Sequence, residues 1–181
     1  MVTGDAVLRL ARDEDADAID ALMKASTAAI FPRFYSQAQT DASVEYIASV
    51  DKALIEDRTY FVVEAQGEIV ACGGWSKRDK LYTGSGESAG GARLLDPMGE
   101  PARVRAMFVR DDWTRRGLGT QILQACEAAA KEHGFQRLAL GATLPGVPLY
   151  ERFGFVATHE MTVTLPDSTD IAAVAMEKAI S

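Results

Sequence analysis

Histidine and cysteine are scarce in this chain, with two of each in 181 residues, and their positions offer no metal-ligand spacing. No metal centre is expected. Cys72 and Cys126 both stand in apolar surroundings, which favours two buried free thiols over a disulfide. Long apolar runs are missing as well: nothing approaches the roughly 20 residues that a membrane-spanning helix needs. The opening Met1-Val2-Thr3-Gly4-Asp5 has no basic segment leading into an apolar one, so a cytoplasmic protein is expected. Positive charge is in deficit. A formal net charge of −7 argues against nucleic acid as the main partner, because binding to phosphate backbones relies on clustered cations. Acidity suits a cationic or amine-bearing ligand, and it also serves solubility alone. Internal repeats, heptads and low-complexity tracts are absent too. With 48% hydrophobic and 25% charged residues, the composition is globular and the length fits one domain over residues 1–181.

The chain is organised around residues 104–132. Val104-Arg105-Ala106-Met107-Phe108-Val109 reads as a strand, Thr114-Arg115-Arg116-Gly117-Leu118-Gly119-Thr120 as a glycine turn, and the residues after the turn as a helix. Leu118, Ile122, Cys126 and Ala130 recur every four residues, with Leu123 and Ala129 beside them, so one face of that helix is buried and Gly134 can end it. The first turn of such a helix presents unpaired N–H groups and the positive end of the dipole. Two glycines let a ligand approach the backbone, and Arg115 and Arg116 add permanent positive charge. An anion, most naturally a phosphate, fits there. A P-loop is excluded because Gly119 is followed by Thr120 and Gln121 rather than Lys-Ser/Thr. The dinucleotide fingerprint is excluded because Ile122 stands where a third small residue belongs.

The segments around this centre give a coarse layout. Leu8-Arg9-Leu10 reads as a strand, and Asp13 as the cap of a helix over 15–25 with Ile19, Leu22 and Met23 inward. Thr40 or Asp41 can cap a second helix to about Asp51, with Val44, Ile47 and Ala48 inward. Residues 60–64 and 69–75 form a hairpin around 65–68, with Gly73-Gly74 marking a bulge or a close backbone approach. Lys77 to Pro101 is rich in glycine and lacks periodicity. A stretch of that length needs a reason, and a closing segment over residues 80–98 is one, with Leu81, Tyr82, Leu94 and Leu95 able to pack. Arg137 to Gly141 reads as a strand, and residues 159–165 and 171–176 as a final hairpin.

The glycine turn resembles the pyrophosphate loop of the GCN5-related N-acetyltransferases, the GNAT family, whose pattern is Gln/Arg-x-x-Gly-x-Gly/Ala at a strand-to-helix turn. Thr114 stands where that family has Gln or Arg. Pro148-Leu149-Tyr150-Glu151-Arg152-Phe153-Gly154-Phe155 is similar to the family's later motif, a short helix carrying a tyrosine and ending in Gly-Phe. The two motifs occur in family order and span about residues 103–156.

This resemblance implies an α/β (mixed α+β) fold, a strongly twisted mixed sheet with helices on both faces and a splayed central strand pair. It implies acetyl-CoA as acyl-donor cosubstrate. Main-chain groups of Met107, Phe108 and Val109 would pair with the pantetheine amides, and Arg115, Arg116, Gly117, Leu118, Gly119 and Thr120 would surround the pyrophosphate. Tyr150 occupies the position of the acid that protonates the leaving sulfur. The implied activity is direct N-acetyl transfer to an amine of a small molecule or peptide. A noncatalytic acyl-CoA-binding module and an O-acyltransferase stay open beside it, as does a homodimer. The region between the first two helices borders the acceptor pocket in that family, which makes Phe31, Phe34 and Tyr35 candidates for a substrate wall. Trp75 is a candidate for closing the same side. Glu64 and Glu100, or water relayed to a carboxylate, are open choices for the base, and none is assigned.

Overall fold

A computed structural model describes residues 5–79 and 93–181. Its strands are β1 (Val7–Leu10), β2 (Tyr60–Ala65), β3 (Glu68–Ser76), β4 (Ala102–Val109), β5 (Arg137–Thr143), β6 (Val156–Thr164) and β7 (Asp170–Ala179). Its helices are α1 (Ala16–Ile30), α2 (Gln37–Tyr46), α3 (Lys52–Glu56), α4 (Leu118–Glu132) and α5 (Val147–Phe153). The strands form one sheet in the order β1-β2-β3-β4-β5-β7-β6. Every neighbouring pair is antiparallel except β4 and β5.

That exception positions the site. The parallel pair is joined only at Ala102 with Leu138 and Arg103 with Ala139. Beyond Arg103 the two strands separate, leaving a wedge whose β4 side is unpaired. Helices cover both faces. Ile122, Leu123, Cys126 and Ala130 of α4 pack with Val63, Trp75, Leu138 and Leu140 on one side. Ile19, Leu22 and Met23 of α1 pack with Leu54, Tyr60 and Val62 on the other. A third cluster joins Phe31, Tyr35 and Ala42 to Val163, Leu165 and Ile171 of the final hairpin.

The α4 stripe and the two hairpins match the periodicity of the sequence. The second helix does not. It starts at Gln37, capped by Ser36, whose Oγ accepts from Gln39 N–H while the Gln39 side chain accepts from Ser36 N–H. This reciprocal cap lies upstream of the expected Thr40 or Asp41. The helix stops at Tyr46, and Asp51 caps the separate α3. Thr40, Ala42 and Ser43, rather than Val44, face inward. α1 also runs five residues past the expected end, to Ile30, because Pro32 tolerates the first turn of the 3-10 segment beyond it.

The segment between β3 and β4 is closed at its base by Asp79 N–H to Arg93 O and Leu95 N–H to Lys77 O, both 2.8 Å. The expected closing stretch falls largely outside the described residues, including Leu81, Tyr82 and the glycines at 84, 86, 90 and 91. Of the remainder, Leu95 is buried in the core and Leu94 is exposed. Among the described residues no helix is long and apolar enough to cross a membrane. None of them forms a cluster that could hold a metal ion.

Candidate active site

A bulge in β4 shapes the wedge. The β3–β4 register shifts between Cys72 and Gly74, opposite Ala106, whose φ is +53°. A non-glycine residue in that left-handed region is strained, and a buried hydroxyl holds it: Tyr60 Oη donates to Ala106 O at 2.6 Å. The paired glycines of β3 answer to close approach. A Cβ at Gly74 would lie 2.5 Å from Thr59 O, and one at Gly73 would lie 2.7 Å from Met107 Sδ.

Strand alternation then decides which main-chain groups face the wedge. Arg110 N–H donates to Val70 O of β3 at 2.9 Å, so the Val109 carbonyl in the same peptide unit points the opposite way. There it accepts from Ser26 Oγ of α1 at 2.8 Å. Two residues earlier, the main-chain groups of Met107 share that direction, while those of Phe108 turn towards its β3 partner Cys72. Of the three expected strand contacts, Met107 and the N–H of Val109 therefore face the wedge, while the Val109 carbonyl is held by Ser26. Phe108 is committed to the sheet.

At the end of β4 the chain passes through a 3-10 turn, Asp111–Trp113, and enters α4. Arg115 (φ +62°) and Gly117 (φ +80°) are both left-handed. Among the described residues no main-chain N–H from Arg115 through Thr120 has a hydrogen-bond partner, and the first bond in line is Gln121 N–H to Gly117 O at 3.0 Å. This run of free donors at a helix N-terminus has the geometry to accept an anion. Thr114, the departure from the family pattern, is exposed and donates through Oγ1 to Asp111 O at 2.9 Å.

The two glycines do different work. Gly117 meets nothing within 4 Å of an added Cβ, so it is needed for its φ, whereas a Cβ at Gly119 would lie 2.7 Å from Leu149 Cδ2. Gly119 thus lets α5 pack against the first turn of α4, a role beyond the close ligand approach expected of it. The two arginines also part. The Arg116 guanidinium lies over the Trp113 ring, 4.3 Å from its centroid, while Arg115 lines the cavity.

A cavity of about 440 Å³ joins these elements, lined by Ser26, Met107, Val109, Thr114, Arg115, residues 117–120, Leu149 and Tyr150. Burial, with the Cys126 thiol nearby as a lesser cause, pushes the Tyr150 phenol well above its ordinary pKa. It stays protonated and neutral at any physiological pH. Its ring packs edge-on against Phe155, with centroids 5.8 Å apart, and its hydroxyl has no partner among the described residues.

The wall expected of four aromatic residues is made by two. Phe31 and Phe34 line the cavity with Ile30 and Ile47. Tyr35 instead donates from Oη to Ala172 O at 2.7 Å and accepts from Leu144 N–H at 2.9 Å, which ties the α1–α2 segment to the far hairpin. Trp75 is buried against His133 and Phe135, away from the cavity. Neither carboxylate considered as a base lies there either. Glu64 pairs with Arg9 at 3.0 Å. Glu100 pairs with Arg93 at 2.8 Å, which holds its carboxyl low, at about 2. The lining carboxylate among the described residues is Asp111, 3.7 Å from Arg33. Ser26, Asp111 and Arg152 were not singled out in the sequence. Arg152 stood inside the tyrosine motif, but nothing local to Ser26 shows that it meets Val109, 83 residues away.

The sequence profile of the acetyltransferase (GNAT) family matches residues 19–155, about three quarters of the chain, and the chain belongs to that family. Three solved structures share its fold. The GCN5-related N-acetyltransferase "Aminotransferase, Class-II" from Rhodopseudomonas palustris superposes with a TM-score of 0.75 at 22% identity, over 99% of this chain and 98% of that one. PaiA N-acetyltransferase from Thermoplasma acidophilum, in complex with coenzyme A, gives 0.68 at 14% identity over 96% and 98%. YncA from Salmonella typhimurium, with its cofactor acetyl-CoA, gives 0.64 at 16% identity over 98% and 95%.

Proposed function

We propose that this member of the acetyltransferase (GNAT) family works as one domain that moves an acetyl group from acetyl-CoA directly to the amine of a small molecule or peptide. The observation that carries the reading is the unpaired N–H run from Arg115 through Thr120, opening into the same cavity as the free edge of β4 and Tyr150. The cradle takes the pyrophosphate. The main-chain groups of Met107 and the N–H of Val109 take the pantetheine amides, so the thioester is led along β4 towards the bulge. Acetyl-CoA supplies the acyl group as an activated thioester.

Attack by a neutral amine forms the amide and breaks the carbon–sulfur bond, and the sulfur leaves with the electron pair. Tyr150 is the donor to that sulfur. Its raised pKa makes complete proton transfer uphill to a thiolate whose conjugate acid lies near 8.5, so its contribution is largely a hydrogen bond to developing charge in a dry site. Phe31 and Phe34 border the acceptor. The amine's proton leaves through water, because Glu64 and Glu100 are held elsewhere. Buried free thiols at Cys72 and Cys126 are in keeping with a reducing, cytoplasmic setting.

The test is a screen of amine and alcohol pools for thiol release from acetyl-CoA, with product mass to identify the acylated atom. An amine acceptor gives a rate that rises with pH as the ammonium loses its proton. Acetyl-CoA binding without turnover on any pool would reduce the chain to a binding module, and failure to bind acetyl-CoA would overturn the reading entirely.

A further inference from the structure

We infer that Tyr60 is a positioning residue for acetyl transfer: laid across Gly74 and hydrogen-bonded to the bulge of β4, it fixes the direction in which Met107 presents its main-chain groups to the thioester arm. This role rests on the transfer reading above and gives a part in it to a side chain outside the cavity lining.

The contact crosses the sheet. Tyr60 of β2 pairs with Gly74 of β3, and Gly74 with Arg105 of β4, so the three lie in one row with no side chain in the middle. A Cβ at Gly74 would lie 2.8 Å from Tyr60 Cδ1. The missing side chain is thus the path by which the ring reaches the next strand but one. There Tyr60, 1% exposed, donates its hydroxyl to Ala106 O at 2.6 Å, and Cys72 Sγ lies 4.0 Å from the same oxygen. The residue before the bulge is pinned as well: Arg105 Nη2 donates to Asp51 Oδ2 at 3.1 Å, with both side chains buried.

A buried tyrosine needs an acceptor for its hydroxyl, and core packing alone accounts for that much. It does not account for the acceptor taken. Ala106 holds φ +53°, a conformation that a non-glycine residue keeps only where its surroundings impose it, and it lines the cavity beside Met107. Between the Cys72–Phe108 and Gly74–Arg105 pairs, β4 carries Ala106 and Met107 against the single Gly73 of β3. An extra residue of this kind re-aims the strand. Met107 turned from its present direction would move the thioester relative to Tyr150, and a misplacement of about 1 Å costs turnover on the order of 10²-fold.

Tyr60→Phe keeps the ring over Gly74 and removes only the hydroxyl. With saturating acetyl-CoA and a pool of primary amines that the wild type acetylates, its thiol release should fall about tenfold or more, while calorimetry finds acetyl-CoA affinity within about twofold of wild type, because the N–H run of residues 115–120 is untouched. Adding Ala106→Gly to Tyr60→Phe should recover part of the rate, since glycine takes a left-handed φ without a hydroxyl to hold it there. Tyr35→Phe gives up a buried hydroxyl away from the bulge; it controls for lost stability and should keep its turnover. Turnover of Tyr60→Phe within about twofold of wild type, a fall matched by Tyr35→Phe, or a fall that Ala106→Gly leaves unrecovered would each overturn the positioning role and leave the transfer reading standing. Wild-type protein that binds acetyl-CoA but releases thiol with no amine would overturn both.

Discussion

The proposed donor half of the site, from β4 to α5, and the proposed acceptor half, from α1 through α2, are built from different materials. The donor half uses main-chain groups: the free edge beyond Arg103, the bulge at Ala106, and the N–H run before Gln121. Side chains there mostly set backbone shape, as Tyr60 does for Ala106 and as the gap at Gly119 does for Leu149. The acceptor half is a wall of side chains, Ile30, Phe31, Phe34 and Ile47, with a long-range latch at Tyr35. Backbone geometry restricts which residues are allowed and therefore leaves a pattern. An apolar wall accepts many residues and leaves almost none.

The largest effect expected within the donor half concerns its one chemical side chain. Tyr150→Phe keeps the ring and its edge contact with Phe155, so stability and acetyl-CoA affinity should change little. Turnover should fall by roughly 10²–10⁴, the range for a positioned donor. Turnover within a few fold of wild type would return Tyr150 to packing and would leave the donor half a pure binding device.

The two glycines sharpen the comparison next. Gly117→Val meets open space but forces a β-branched residue to φ +80°, so the loop should distort and acetyl-CoA binding weaken by at least about tenfold, or 1.4 kcal/mol. Gly119→Val collides with Leu149 instead. It should lower the melting temperature and shift α5 along with losing affinity. Equal thermal stability of the two variants would refute this division of labour.

Legibility in the sequence follows the same line. The α4 stripe and both glycine motifs were readable because helix burial and left-handed turns demand particular residues at fixed spacing. The Gly73-Gly74 signal correctly offered a bulge or a close approach, and the structure uses it for both. The capping box at Ser36 was also present in local sequence, but the later Thr40-Asp41 pair competed with it as a start signal. What local reading misses is long-range. Tyr35 has the composition of a pocket aromatic, yet its hydroxyl is claimed by Leu144 and Ala172. Trp75 lies next to the bulge in sequence, but strand alternation turns it into the core. Arg152 is visible as a residue of the motif, whereas its orientation depends on how α5 packs.

Alkaline pH should probe the core beneath the donor half. Burial raises the thiols of Cys72, to about 12, and of Cys126, and the phenols of Tyr60 and Tyr150. Each of these groups ionises more readily in the unfolded chain. The unfolded state therefore holds fewer protons once pH passes the ordinary values of 9.0 for cysteine and 10.0 for tyrosine. Stability is full below pH 9 and should fall as pH rises above it, by about 1.4 kcal/mol per pH unit for each group between its unfolded and folded pKa. Urea midpoints measured from pH 8 to 11 check this. A flat profile would mean that these groups are hydrated rather than buried.

The smallest effect separates the two neighbouring aromatics of the acceptor half. Phe34 is 46% exposed on the cavity rim, so Phe34→Ala removes only part of a ring's apolar contact. Once the acceptor is known, its KM should rise about three- to tenfold, the equivalent of about 1 kcal/mol, with acetyl-CoA affinity and melting temperature unchanged. Tyr35→Phe should behave in the opposite way. Losing its hydroxyl leaves Leu144 N–H and Ala172 O without their buried partner, which costs about 1–3 kcal/mol of stability, while the cavity wall keeps its residues. The pair of variants therefore asks whether adjacent aromatics of similar appearance divide into one that touches substrate and one that braces the scaffold. A raised acceptor KM in Tyr35→Phe with undiminished stability would reverse the assignment and move Tyr35 back to the pocket wall.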